Sequence, residues 1–164
     1  MYKEYDLELP WDKPGVTPEE ALDFLGVRHT NPLHDGELEH LIAEGFPAKA
    51  LDLLEKEIFL GKALLWEDLM EPIYSARVTK PDRLTHLESS RAYHVAFCWL
   101  RAFKLFKSEV SARTFLLKKH DLLFGMTALE CILEGGSKRR RVIETLESLS
   151  ESDWIEPHWH RHEY

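Results

Sequence analysis

Three histidines in the N-terminal third are the first residues whose type and spacing suggest metal chemistry. They share one short segment with three carboxylates: His29, His34, Asp35, Glu37, Glu39 and His40. Imidazole and carboxylate groups are the usual ligands of zinc in proteins. The histidines are five and six residues apart, and these spacings do not place all three on one face of a helix. We therefore expect separate hydrogen-bonded side chains here and predict no metal site.

The last twelve residues, 153–164, combine aromatic side chains with alternating histidines. Large aromatic side chains are costly to leave in water, since burying one is worth about 2–3 kcal/mol. An arginine among aromatic residues is also typical of the energetic centre of a protein interface. We predict that four tail residues contact a partner: Trp154, Trp159, Arg161 and Tyr164. Two alternatives stay open, in which the tail packs back on its own domain or His158, His160 and His162 bind a divalent metal.

Motifs for catalysis are missing from the sequence. It contains no Gly-rich phosphate loop, no nucleophile elbow, no H-E-x-x-H and no C-x-x-C pair. Cys98 and Cys131 lie in apolar helical stretches, so we expect buried free thiols rather than a disulfide or a zinc site. His94 and His120 fit hydrogen-bonded structural roles. The sequence thus predicts no catalytic residue, no metal and no cofactor.

The charge of the chain is unevenly distributed. The formal net charge is −8; residues 1–44 are strongly acidic, and residues 84–150 are mildly basic with 11 basic and 7 acidic side chains. A general nucleic-acid binder has basic residues that dominate a face or a domain. No apolar run approaches the roughly 20 residues that cross a bilayer, and the first residues do not form a signal peptide. We expect a cytoplasmic protein that does not enter a membrane.

Helix signals recur every ten to twenty residues, and no sustained alternation of period two indicates a strand. The capping signals and apolar spacing predict helices over about 18–25, 37–44, 47–59, 62–70, 85–107, 109–117, 127–134 and 137–149. The firmest of these begin at the capping boxes Thr85–Glu88 and Thr127–Glu130. Ser137 is the expected cap of the last helix. The predicted fold class is all-α, with 1–44 as an acidic arm and short helices, a helical region at 45–83, a helical domain at 84–150 and a tail at 151–164.

Short motifs, in order along the chain, resemble the Xre/MbcA/ParS toxin-binding antitoxin family. The N-terminal ones are Leu41-Ile42-Ala43-Glu44-Gly45-Phe46-Pro47, then Arg83-Leu84 with Glu88-Ser89-x-Arg91, which is similar to the family's R-L-x-x-x-E-S-x-R junction. The C-terminal ones are Ala102-x-x-Leu105-Phe106, Ala112-Arg113-x-Phe115-Leu116 and Leu123-x-Gly125-x-Thr127-Ala128-Leu129-Glu130, the last similar to L-x-G-x-T-P-L-E. The region of resemblance runs from about Leu41 to Leu149, which is about two thirds of the chain.

The resemblance implies an antitoxin of a type II toxin–antitoxin system. Such a protein binds and neutralises a RES-domain toxin, which consumes NAD, and is itself no enzyme. Residues 84–150 would form the toxin-binding domain, and the tail would cover the toxin's active site. The implied assembly is a homodimer or a toxin–antitoxin hetero-oligomer. The alternative is a stand-alone helix-turn-helix regulator, or an adaptor that kept the fold and lost the toxin.

The resemblance also implies a helix-turn-helix-like region at 45–83. The family carries an Arg-Thr-Leu-x-Arg-Arg-like recognition run, and the corresponding residues of this chain are 75–83, which include Pro81. Proline shortens a helix because it lacks the N–H and its ring clashes with the preceding turn. We therefore predict weak binding of operator DNA. Its phosphate contacts would come from Arg77, Lys80 and Arg83.

Overall fold

The computed structural model describes residues 15–60 and 82–149 of the chain. In these stretches the helices are α1 (Pro18–Phe24), α2 (Glu37–Glu44), α3 (Lys49–Ile58), α4 (His86–Phe106), α5 (Glu109–Leu117), α6 (Ala128–Glu134) and α7 (Gly136–Ser148). Two short strands, β1 (Lys119–His120) and β2 (Met126–Thr127), flank a 3-10 turn at Asp121–Leu123. The predicted all-α class is confirmed. The helix predicted over 62–70 lies outside the described residues.

The chain divides into two compact units. The N-terminal unit is Pro18–Phe97, and the C-terminal unit is Cys98–Tyr164 together with Met1–Thr17. The division falls within α4, whose residues up to Phe97 belong to the first unit. The segment limits predicted from the sequence, at residues 44, 83 and 150, stay predictions.

The core of the N-terminal unit is built from one apolar face of each short helix. The largest fully buried side chains of this unit include Leu22, Ile42, Leu51, Leu54 and Ile58. Such faces follow from apolar residues three and four apart in a helix. Burial of these faces stabilises the helices, because helices of seven to ten residues are marginal in isolation.

A backbone pairing joins the segment before α3 to the segment before α4. The Leu84 N–H donates to the Phe46 carbonyl at 2.8 Å, and the Ala48 N–H donates to the Asp82 carbonyl at 3.1 Å. The Phe46 N–H in turn donates to the buried Ser89 hydroxyl at 2.9 Å. Helix α3 therefore begins at Lys49, two residues later than the sequence predicts, because the preceding backbone pairs with a distant segment instead.

Helix α4 begins at the predicted capping box. The Thr85 hydroxyl accepts from the Glu88 N–H at 3.1 Å, and the Glu88 carboxylate accepts from the Thr85 N–H at 2.8 Å. An apolar stripe of this helix is buried at Val95, Cys98, Trp99, Ala102 and Phe106. Among the described residues, no helix is both long and apolar enough to cross a membrane.

The C-terminal unit packs α5, α6 and α7 around a small hairpin. Strands β1 and β2 pair antiparallel, with Lys119 opposite Thr127 and His120 opposite Met126. The sequence predicts no strand, and this prediction is corrected by the hairpin, whose strands of two residues are too short for a period of two to be visible. The His120 ring stacks on Phe115, with ring centres 5.4 Å apart, and its Nε2 is 2.7 Å from the Phe115 carbonyl oxygen.

Helix α7 begins without a side-chain cap, so the predicted cap at Ser137 is wrong. Gly135 and Gly136 both take positive φ, and the helix starts at Gly136, which places Ser137 inside its first turn. Part of the basic run that follows is engaged within the fold. Arg139 Nε donates to the Ile132 carbonyl at 3.0 Å, and Lys138 pairs with Glu134 at 2.7 Å.

Candidate partner-binding surface

Most of the site residues predicted from the sequence lie outside the described residues. These are the tail positions Trp154, Trp159, Arg161 and Tyr164 and the DNA-contact positions Arg77 and Lys80. Arg83 is described and exposed, and its Nη1 donates to the Gly45 carbonyl at 2.8 Å. Its guanidinium is thus anchored to the backbone of the N-terminal unit.

The histidines of the first segment make separate contacts. His29 Nε2 is 2.6 Å from the Asp23 carboxylate, and His40 Nε2 is 3.0 Å from Glu44. In 15–60 and 82–149, no group of three or more histidine, cysteine or acidic side chains is arranged to hold a metal ion. Burial lowers the pKa of His29, but hydrogen bonds to the Thr30 carbonyl and to Asp23 outweigh it, so the net shift is upward. This pair is therefore a hydrogen-bonded loop contact that favours protonated imidazole.

Both cysteines are buried free thiols, as the sequence predicts. Burial raises the pKa of Cys98 to about 12 and also raises the pKa of Cys131. A thiol reacts as its thiolate, so these groups are chemically quiet near neutral pH. Cys131 instead contributes a weak contact, with Sγ 3.8 Å from the Leu123 carbonyl oxygen.

The most distinctive surface of the C-terminal unit is the hairpin turn at residues 121–125, which we call the apolar turn. Leu122 and Phe124 are 53% and 62% exposed, whereas Leu123 between them is fully buried. The turn thus inserts one side chain into the core and presents its two apolar neighbours to solvent.

Phe124 holds a backbone conformation that is unusual for its type. Its φ of 61° and ψ of 25° lie in the left-handed region, which costs an L residue about 1–2 kcal/mol. Strained positions cluster where a protein binds something. The strain and the exposed ring at one residue mark this turn as a functional candidate.

Long-range and local bonds hold the apolar turn in place. Gly125 takes φ 72°, and its N–H donates to the His120 carbonyl at 2.9 Å. Arg141 Nε on α7 donates to the Leu122 carbonyl at 3.2 Å. Immediately after the turn, the predicted capping box is confirmed, because Thr127 and Glu130 bond each other's backbone N–H at 3.0 Å. The exposed side chains therefore project from a firmly held backbone.

Positive charge accompanies the apolar turn. Lys118 and Lys119 lie two to three residues before it and are exposed, and Arg140 and Arg141 are exposed on α7, whose Arg141 contacts the turn. The turn itself contributes one exposed carboxylate, Asp121, so the basic residues of these segments outnumber the acidic ones. Apolar groups beside mainly basic segments suit a protein surface with a complementary acidic rim. These lysine, arginine and apolar side chains are not the cluster of acids and bases with shifted pKa values that is typical of an active site.

Sequence reasoning placed these residues in a loop and did not single out their side chains. Exposure at 122 and 124 with burial at 123 depends on how β1 and β2 close the turn. The one local signal is a pair of large apolar residues on either side of Leu123, directly before a glycine.

Comparisons with known proteins give no match for this chain, whether the comparison is with family models, with curated proteins or with solved structures.

Proposed function

We propose that this protein is an antitoxin that binds and neutralises a RES-domain toxin, with the apolar turn as a main contact. The observation that carries the proposal is the exposure of Leu122 and Phe124 on a turn held by hydrogen bonds. One motif of the family resemblance, Leu123-x-Gly125-x-Thr127-Ala128-Leu129-Glu130, lies at this place. Gly125 allows the turn, and Thr127–Glu130 caps the helix behind it.

The geometry of the turn supports binding to a protein. A large ring on a fixed backbone loses little conformational freedom on association, so most of its burial contributes to affinity. Aromatic anchors carry a large share of interface energy, commonly 2 kcal/mol or more each on truncation. Phe124 fits this description, and Leu122 extends the apolar area beside it.

The net positive charge of the region favours a partner with an acidic surface. Residues 84–150 carry a net charge of +4. Lys118, Lys119 and Arg140 would face acidic groups on the toxin around an apolar pocket that receives Phe124. In this proposal the tail residues Trp154, Trp159, Arg161 and Tyr164 add a second contact, which blocks the toxin's NAD cleft.

A growth assay with a matched pair of variants tests the proposal. The chain is co-expressed with the RES-domain protein encoded by the neighbouring gene, and growth and complex formation are measured. Phe124→Asn removes the ring but keeps a residue that tolerates the left-handed conformation. Val110→Asn is the control, because Val110 is 67% exposed on α5 of the same unit.

We expect the wild-type chain and Val110→Asn to restore growth and Phe124→Asn to fail while melting no lower than wild type. Equal rescue by Phe124→Asn would show that the apolar turn is not the contact. Failure of the wild-type chain to bind the toxin or restore growth would overturn the antitoxin function. A chain truncated before Asp153 tests the tail, and it should fold normally but neutralise less.

A further inference from the structure

A cleft of about 410 Å³ opens on the surface of the N-terminal unit. Three basic residues line it, one each from the loop after α1, the start of α3 and the segment before α4: Arg28, Lys49 and Arg83. Its walls include Val27 and Phe46, which are almost fully buried. The volume lies within the range of small-molecule sites, which is roughly 300–1,000 Å³.

These three cations line one cleft although the unit is acidic overall. The described part of the N-terminal unit contains twelve acidic side chains and the basic residues Arg28, Lys49, Lys56, Arg83 and Arg91. Three of the five basic residues therefore line one cleft. The acidic residue in the lining is Glu44, which is paired with His40 at 3.0 Å.

Backbone geometry positions two of the cations at the cleft. Arg83 Nη1 donates to the Gly45 carbonyl at 2.8 Å, which fixes one edge of its guanidinium group. The Lys49 side chain lies over Gly26, where a Cβ would approach its Cε to 3.3 Å and its Nζ to 4.0 Å. The missing side chain at Gly26 thus makes room for the lysine stem beside the cleft.

We propose that this cleft binds a small phosphorylated molecule. Its phosphate would be held by Arg28, Lys49 and Arg83, since guanidinium and ammonium groups donate several hydrogen bonds to phosphate oxygens. An apolar part of the ligand would lie against Val27 and Phe46.

The size and charge of the unit favour a small ligand over a nucleic acid. Duplex DNA carries about one negative charge per 1.7 Å of axis, so it would extend its phosphates past the cleft. Most acidic side chains in the described part of the unit are exposed or half-buried, and exposed charges interact over about 8 Å at physiological salt. A single phosphate group meets the three cations without that repulsion.

Isothermal titration of the full-length protein tests this inference with AMP, inorganic pyrophosphate and a short DNA duplex as probes. Lys49→Gln and Arg28→Gln remove a charge from the cleft. Lys56→Gln is the matched control, because Lys56 is exposed on the same helix and does not line the cleft. Circular dichroism verifies that each variant is folded.

We expect saturable binding of AMP that each cleft variant weakens by about ten- to a hundredfold, the usual effect of losing one hydrogen bond to a charged group. The control should stay within about twofold. The inference is overturned if neither AMP nor pyrophosphate binds at millimolar concentration, or if Lys56→Gln weakens binding as much as Lys49→Gln. It is also overturned if the duplex binds more tightly than AMP through the same residues. These outcomes are independent of toxin binding, because they concern the other unit.

Discussion

Replacing Gly45 with alanine should separate two backbone segments of the N-terminal unit. Gly45 has φ 95° and ψ 132°, a conformation that costs an L residue about 1–3 kcal/mol. A Cβ at this position would also lie 2.2 Å from the Leu84 carbonyl oxygen, well inside van der Waals contact. The backbone at 45–48 must therefore move away from the backbone at 82–84.

The size of the effect follows from the bonds that hold this junction. Movement would weaken the bond from Leu84 to Phe46 at 2.8 Å and the bond from Arg83 to the Gly45 carbonyl at 2.8 Å. Each is worth about 1 kcal/mol in net stability. With the backbone strain, the expected loss is about 3–5 kcal/mol, which is a large fraction of the 5–15 kcal/mol typical of a folded domain.

Gly36→Ala provides the matched control. Gly36 also has positive φ, at 77°, but a Cβ there would meet no atom within 4 Å. It should lose about 1–2 kcal/mol from strain alone. Both variants lose a glycine at positive φ; they differ by the clash and by the backbone conformation, since Gly45 has φ 95° and ψ 132° whereas Gly36 has φ 77° and ψ −2°.

Urea unfolding and amide hydrogen exchange measure the difference. In Gly45→Ala the Leu84 amide should lose protection, while the Gly125 amide of the C-terminal unit, bonded to His120, keeps it. If Gly45→Ala unfolds at the same urea concentration as Gly36→Ala, or if Leu84 stays protected, the described contact between the two segments is refuted.

Two further predictions concern the core and pH. Phe106→Ala should lower the free energy of unfolding by about 3–5 kcal/mol, since the ring is 6% exposed. Phe103→Ala on the same helix is the control and should lower it much less, because Phe103 is 39% exposed. Equal urea midpoints for the two variants would contradict the burial of Phe106. Burial lowers the pKa of His29, but its contacts with Thr30 and Asp23 outweigh burial and raise the pKa above 6.5. Protonated His29 therefore stabilises the fold fully below pH 6.5, and this stabilisation is lost as the pH rises through the folded-state pKa. Melting temperatures across that range should fall more for wild type than for His29→Gln; parallel curves would exclude this linkage.

The parts of the fold that follow from local sequence were predictable. Both capping boxes connect residues three positions apart, and both are formed, at Thr85 with Glu88 and at Thr127 with Glu130. The buried stripe of α4 follows from apolar spacing. Ser137 shows the limit of such reasoning, because the positive φ of two glycines moves the cap of α7 from Ser137 to Gly135, two residues earlier.

The candidate sites depend on residues that are far apart in the chain. Arg141 reaches a carbonyl nineteen residues earlier and so holds the apolar turn. His29 and His40, which lie close in sequence, belong to different contacts, while Arg28 and Arg83, which are distant in sequence, share a cleft. The spacing of the histidines predicts their separation, but sequence spacing could not reveal the cleft.

The sequence by itself determined the helical class, the capped helix starts and the buried thiols, because each depends on hydrogen bonds and apolar periodicity within about one or two helical turns. Only the tertiary structure decided that Phe124 faces solvent beside a buried Leu123 and that scattered cations converge beside Gly26. The physical reason is that pairing between distant segments, such as 45–48 with 82–84, sets the direction of these side chains, and no local period encodes it.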